Sequence, residues 1–151
     1  MHLILWRHAE AEDGSPDDQR KLTAHGKTEA KQTAAWLKKH LPENCYIFVS
    51  PAVRTQQTAR ALTDDFETRE EVGVGATPSS ILRCTHWPDG EQSALVVGHQ
   101  PTLGELAHRL LCGRQGEWSV KKSAVWWFTT RERDSVSEVI LKAVISPDLL
   151  N

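Results

Sequence analysis

Three short apolar runs, each leading into reactive side chains and then a helical pattern, constrain this chain more than any other feature. Leu3-Ile4-Leu5-Trp6 runs into Arg7-His8-Ala9, Tyr46-Ile47-Phe48-Val49 into Ser50-Pro51-Ala52-Val53-Arg54, and Ala94-Leu95-Val96-Val97 into Gly98-His99. Near-continuous apolar runs separated by helical stretches are the pattern of parallel strands covered on both faces. Parallel strands place their carboxyl ends on one sheet edge, which is where α/β folds bind ligands. Arg7, His8, Ser50, Arg54 and His99 are therefore expected to converge on one spot.

The remaining pattern predicts an α/β fold, a three-layer sandwich with a mostly parallel central sheet and an antiparallel edge. A strand over 2–7 is followed by a polar loop, with Thr23 as N-cap of a helix over 24–40. Ala30, Ala34, Leu37 and Leu41 recur there at helical spacing, Pro42 marks the stop, and Gly26 weakens the first turn. A strand over 46–49 precedes a helix over 52–64. Residues 65–92 are broken up by Gly and Pro, with a short helix expected from Thr77-Pro78 to about Trp87. A strand over 94–98 leads to a helix over 102–111 closed by Gly113. Strands over 123–129 and 136–145, joined through Glu132-Arg133-Asp134, read as an edge hairpin.

With 151 residues the chain suits a single domain over 1–151 that buries roughly 70 % of its unfolded surface. A net charge of -2 with scattered Lys and Arg argues against nucleic acid as a partner. Cys45, Cys84 and Cys112 lack any Cys-x-x-Cys pairing and read as reduced, buried small residues in a cytoplasmic protein. The apolar start is too short for a secretion signal, and no run reaches the ~20 residues of a membrane span. The oligomeric state stays open, with a monomer compatible.

Spacing also narrows the chemistry. Gly73-Val74-Gly75 lacks the third glycine and preceding strand of a dinucleotide fingerprint, and no Gly-x-x-x-x-Gly-Lys occurs, so no nucleotide cofactor is expected. The seven histidines show no ligand pairing of a metal site, so no metal is expected either. No cysteine phosphatase loop and no Gly-x-Ser-x-Gly elbow is present. Histidine is the nucleophile that remains.

Arg7-His8, Arg20-Lys21-Leu22-Thr23 before the first long helix, Ser50-Pro51-Ala52-Val53-Arg54-Thr55 and Gly98-His99 together resemble the histidine phosphatase superfamily, over residues 3 to about 108. Short length and the Arg-x-Leu-Thr and Ser-Pro-x-x-Arg elements are most similar to its bacterial phosphohistidine phosphatase branch, known as SixA. Most of the superfamily carries Gly after Arg-His, whereas this chain has Ala9. The resemblance implies a phosphoglycerate mutase-like sandwich without cofactor, in which His8 accepts the phosphoryl group and His99 donates to a nonbridging oxygen. Arg7, Arg54 and Arg20 would clamp the phosphoryl oxygens, since guanidinium forks bind two at once and never lose charge. The same charges would keep His8 neutral and nucleophilic. Ser50 would bind substrate, or only cap the following helix.

Larger relatives that cleave phosphate esters carry an acid on an insertion after the second helix, and residues 65–92 are too short for one. Glu70, Glu71, Glu10 and Glu12 are acid candidates by position only. An imidazole leaves more readily than an alkoxide, so a strong acid matters less for phosphohistidine. The expected substrate is a protein bearing phosphohistidine. A small-molecule phosphomonoesterase and a non-catalytic phosphate-binding module are the alternatives. Trp126 and Trp127 point to opposite sheet faces, as core and edge packing or as a docking surface for a protein.

Overall fold

The computed structural model describes residues 1–150. Six strands, β1 (His2–Arg7), β2 (Tyr46–Val49), β3 (Glu67–Thr68), β4 (Ala94–Gly98), β5 (Val125–Arg133) and β6 (Val136–Ile145), form one sheet in the order β3-β2-β4-β1-β5-β6. The pairs β3-β2, β2-β4 and β4-β1 are parallel, while β1-β5 and β5-β6 are antiparallel. The four helices are α1 (Ala24–His40), α2 (Val53–Arg60), α3 (Pro78–Thr85) and α4 (Thr102–Cys112).

Alternation along the central strands sets the layers. Ile4, Trp6, Leu95 and Val97 pack with Ala34 and Leu37 of α1 and Ala59 of α2 on one face. Leu3, Leu5, Ala94 and Val96 pack with Ile81 of α3 and Leu103, Leu106 and Ala107 of α4 on the other. Fully burying each large aliphatic side chain in these clusters contributes about 1.5–3 kcal/mol, which is why β1 and β4 carry apolar residues on both faces. The result is the three-layer sandwich. Among the described residues no helix is long and apolar enough to cross a membrane.

The long helix starts where expected, with the Thr23 hydroxyl accepting the Gly26 N–H at 2.9 Å, and Gly113 closes α4 at φ 69°. Several boundaries differ. The helix expected over 52–64 stops at Arg60, because Ala61 and Leu62 already donate three residues back, to Thr58 and Ala59. The α3 helix ends at Thr85, where His86 turns left-handed at φ 57°. Strand β3 was not legible: it is two exposed polar residues. Ser123 is left-handed (φ 58°), so β5 begins at Val125. The hairpin turns at Asp134-Ser135, not at Glu132-Arg133-Asp134, and both turn residues have positive φ, the signature of a two-residue turn matched to strand twist.

The neighbouring tryptophans pack on opposite faces of the sheet. Trp127 meets Trp36 of α1 edge-on at 6.0 Å, and Trp126 lies 5.8 Å from Trp118 on the opposite face. Trp127 is buried and Trp126 half-buried, each packed against its face of the sheet. Of the cysteines, Cys84 is buried and Cys45 half-buried, but Cys112, the last residue of α4, is exposed, contrary to expectation.

Candidate active site

Because β1 and β2 both flank β4, their carboxyl ends lie side by side. Arg7 pairs with Gly98 and Val49 with Val97 in the two registers, so the loops that carry His8, Ser50 and His99 leave the sheet together. The His8 N–H bonds the Gly98 carbonyl at 3.1 Å and the Ser50 N–H bonds the Val97 carbonyl at 3.1 Å. The imidazoles of His8 and His99 end up with ring centroids 5.3 Å apart, tilted by 54°.

The His8 ring is held from one side. Its Nδ1 lies 2.7 Å from the Ala9 carbonyl oxygen. A carbonyl only accepts, so Nδ1 carries the proton and Nε2 keeps its lone pair. The loop is in turn tied to α2: the Ala9 N–H donates to Thr58 Oγ1, whose hydroxyl donates to the Arg54 carbonyl. Ala9, where most of the superfamily has Gly, is fully buried against Leu22 and Ala30, so its methyl fills a small apolar cluster instead of crowding the site.

Two guanidiniums reach the same place. Arg7 donates from Nη1 to the Val120 carbonyl at 2.7 Å. Arg54, with 5 % of its side chain exposed, gives Nη1 to the Asp17 carbonyl at 2.8 Å and Nη2 to Asp17 Oδ2 at 3.1 Å. Arg20 does not join as a free clamp. Its Nε donates to Asp17 Oδ1 at 3.0 Å and its Nη1 to the Glu12 carbonyl, so Asp17 stands between it and Arg54. Desolvation pushes the Asp17 carboxyl up, but the hydrogen bonds and charges of Arg54 and Arg20 hold it below the ordinary range.

Burial is the largest cause lowering the His8 pKa to about 4, with the charges of Arg54, Arg7 and Arg20 adding to it and the Ala9 hydrogen bond opposing. His99 is lowered to about 3, again first by burial, then by His8 and Arg54, with Asp17 opposing. Both rings are therefore neutral near pH 7. The arginine effect expected from sequence is present, but desolvation exceeds it.

Among the described residues, the buried side-chain polar atoms left without a partner are Arg7 Nε, Arg54 Nε and His99 Nδ1. Buried donors are ordinarily satisfied. Arg7, Arg54 and His99 border one neutral imidazole and each keeps an unpaired nitrogen, a set whose charge and donors suit an oxyanion.

The carboxylate candidates are placed differently from one another. Glu10 Oε1 accepts the Thr23 hydroxyl at 2.9 Å, and Glu12 is exposed. Glu71 pairs with Arg69 at 2.9 Å and lines a separate 1110 Å³ groove between β2 and α3. Glu70 is exposed and folds back beside Gly73, next to Pro51. A cavity of 560 Å³ opens instead beside Arg7, lined among others by His25, Glu29, Lys121 and Lys122. Among the described residues no three His, Cys, Asp or Glu side chains form a group that would hold a metal. Asp17, Thr58 and Glu29 escaped the sequence reading, Asp17 because nothing in its polar loop marks it.

Residues 3–74 match the family model of the histidine phosphatase superfamily, branch 1. The phosphohistidine phosphatase SixA homolog of Haemophilus influenzae is 32 % identical over 73 % of this chain and 77 % of its own length. The phosphohistidine phosphatase SixA of Escherichia coli is 31 % identical over 75 % of this chain and 76 % of its own. A solved structure of the protein histidine phosphatase SixA complexed with tungstate superposes with a TM-score of 0.78 at 26 % identity, covering 99 % of both chains.

Proposed function

This chain belongs to the histidine phosphatase superfamily as a SixA-like phosphatase, and on that premise we propose that it hydrolyses phosphohistidine on a protein through a covalent intermediate at His8. The observation that carries the reading is the His8 ring, bound through Nδ1 to Ala9 and bordered by Arg7, Arg54 and His99, each of which keeps a buried unpaired nitrogen. The bare Nε2 of His8 attacks phosphorus, forming a P–N bond, as the P–N bond to the substrate imidazole breaks and that imidazole, protonated from solvent, leaves neutral; the proton returns to solvent when phosphate is released. Water then attacks the phosphohistidine. Phosphate leaves, and His8 returns to its neutral state.

The arginine nitrogens and His99 Nδ1 act where charge develops on the nonbridging oxygens, in a buried site where such donors count most. No step requires a metal or a cofactor. Residues 65–92 form β3, a short turn and α3, which packs onto the sheet through Ile81. The shortness of that segment, which leaves no room for a lid domain, favours a bulky protein substrate and a single catalytic domain. The same reading places the enzyme in the cytoplasm.

Labelling with a phosphodonor tests the intermediate. Wild type is expected to acquire an acid-labile, base-stable phosphate that His8→Ala abolishes; an unlabelled wild type that still binds phosphoprotein would leave a phosphate-reading module. Turnover of a phosphohistidine carrier protein against an aryl phosphate ester tests the substrate. A wide preference for the ester would move the assignment to a small-molecule phosphomonoesterase.

A further inference from the structure

We infer that Ser50 is a positioning residue whose hydroxyl sets the tautomer of His99, keeping its proton on Nδ1 and aimed at the phosphoryl group. The inference rests on the phosphatase reading only for its consequence. Its geometry stands alone.

Ser50 is fully buried, and its Oγ makes two contacts: it accepts the Ala52 N–H at 3.3 Å and lies 2.7 Å from His99 Nε2. With one lone pair committed to Ala52, the hydroxyl proton needs an acceptor, and among the described residues His99 Nε2 is the one within reach. Ser50 therefore donates, Nε2 accepts, and the neutral ring carries its proton on Nδ1. In the opposite arrangement Nε2–H would donate to Ser50, stranding a buried hydroxyl proton. It would also leave a bare lone pair on Nδ1, which has no donor of its own and could then offer none to a phosphoryl oxygen. Both consequences are unfavourable in a dry site.

The two imidazoles are then held in opposite tautomers by opposite partners. A carbonyl, Ala9, takes the Nδ1 proton of His8 and leaves a nucleophile. A hydroxyl, Ser50, fills Nε2 of His99 and leaves a donor. Two neutral histidines acquire different roles from the polarity of one neighbour each. This replaces direct substrate binding by Ser50: its hydroxyl is already spent on Ala52 and His99. The backbone around it is fixed too, since Thr55 and Gln56 both donate to the Ser50 carbonyl.

Long-range proton–nitrogen spectra of the ¹⁵N-labelled full chain at pH 7 read the tautomer directly. His99 is expected with Nδ1 protonated and Nε2 bare. Ser50→Ala should let the proton distribute over both nitrogens and lower kcat by roughly 10- to 100-fold with little change in KM, because a transition-state donor is lost. Ser50→Thr, which keeps the hydroxyl, should restore both spectrum and rate. A wild-type ring protonated on Nε2 overturns the inference whatever the variants do. So does a folded Ser50→Ala that loses activity while His99 keeps its Nδ1 proton. A wild type with the expected tautomer but no phosphoenzyme would instead refute the phosphatase reading and leave the Ser50 assignment intact.

Discussion

Asp17 grips Arg54 twice, through its carbonyl at 2.8 Å and its carboxylate at 3.1 Å, so a half-exposed loop residue orients a buried guanidinium. Both Nη groups of Arg54 bond Asp17 while Nε stays buried and unpaired, so in the proposed mechanism Asp17 would orient the clamp from behind. Arg54→Ala is expected to lower kcat/KM by about 10²- to 10⁴-fold. Asp17→Ala should cost less, on the order of 10-fold, through misorientation. Added to Arg54→Ala it should cost almost nothing more, because the two act as a unit. Full additivity in a double-mutant cycle would separate them.

The acid limb of the pH–rate profile follows from the depressed His8 pKa. A nucleophilic imidazole works only when neutral, and His8 protonates near 4. Between pH 7 and 5, kcat/KM for a pH-insensitive substrate is therefore expected to change by less than about twofold. An ordinary histidine nucleophile would lose most of its activity over that interval. An acid limb centred near 6.5 would show that the site is wetter and less cationic than its geometry implies.

The first strand, the long helix and the β4–α4 unit were legible because a strand buried on both faces and a helix with a Thr cap and Gly stop leave strong local marks. Arg7, His8, Ser50, Arg54 and His99 were legible for a related reason: parallel strands deliver their ends to one edge. What escaped is what long-range geometry decides. Asp17 gains its place only when the 10–22 loop folds onto α2, and β3 is too short and polar to show a period. The hairpin shifted because two left-handed residues, Asp134 and Ser135, set the turn rather than the charge run before them. Ser50 was marked by position, but its partner could not be chosen from the sequence.

Stability should fall in acid for the same reason that activity persists. His8 and His99 have folded pKa values of about 4 and 3, below the unfolded value near 6.5. As pH drops below 6.5 the unfolded chain takes up protons that the folded chain refuses, so stability is lost between 6.5 and about 3. Above 6.5 these groups contribute no slope. For His8 the loss is on the order of 3 kcal/mol. Urea midpoints measured at pH 7 and pH 4.5 should differ less in His8→Asn than in wild type. An identical pH dependence would remove His8 from the linkage.

Gly26 reads from sequence as a weak point in the first turn of α1, and its replacement by Ala would add helix propensity worth ~1 kcal/mol. The packing reverses that sign. A Cβ at position 26 would overlap the carbonyl of Glu10, which accepts the Thr23 N–H and lies two residues beyond His8. Helix and loop must then separate, moving the Ala9 carbonyl that holds Nδ1 of His8. Gly26→Ala is expected to destabilise by roughly 1–3 kcal/mol, lowering Tm by several degrees, and to reduce phosphoenzyme formation together with stability. Gly75→Ala, where a Cβ meets nothing within 4 Å, is the control and should leave both unchanged. If Gly26→Ala raised Tm instead, helix propensity would outweigh the close approach, and the loop that carries His8 would be looser than its contacts with α1 imply.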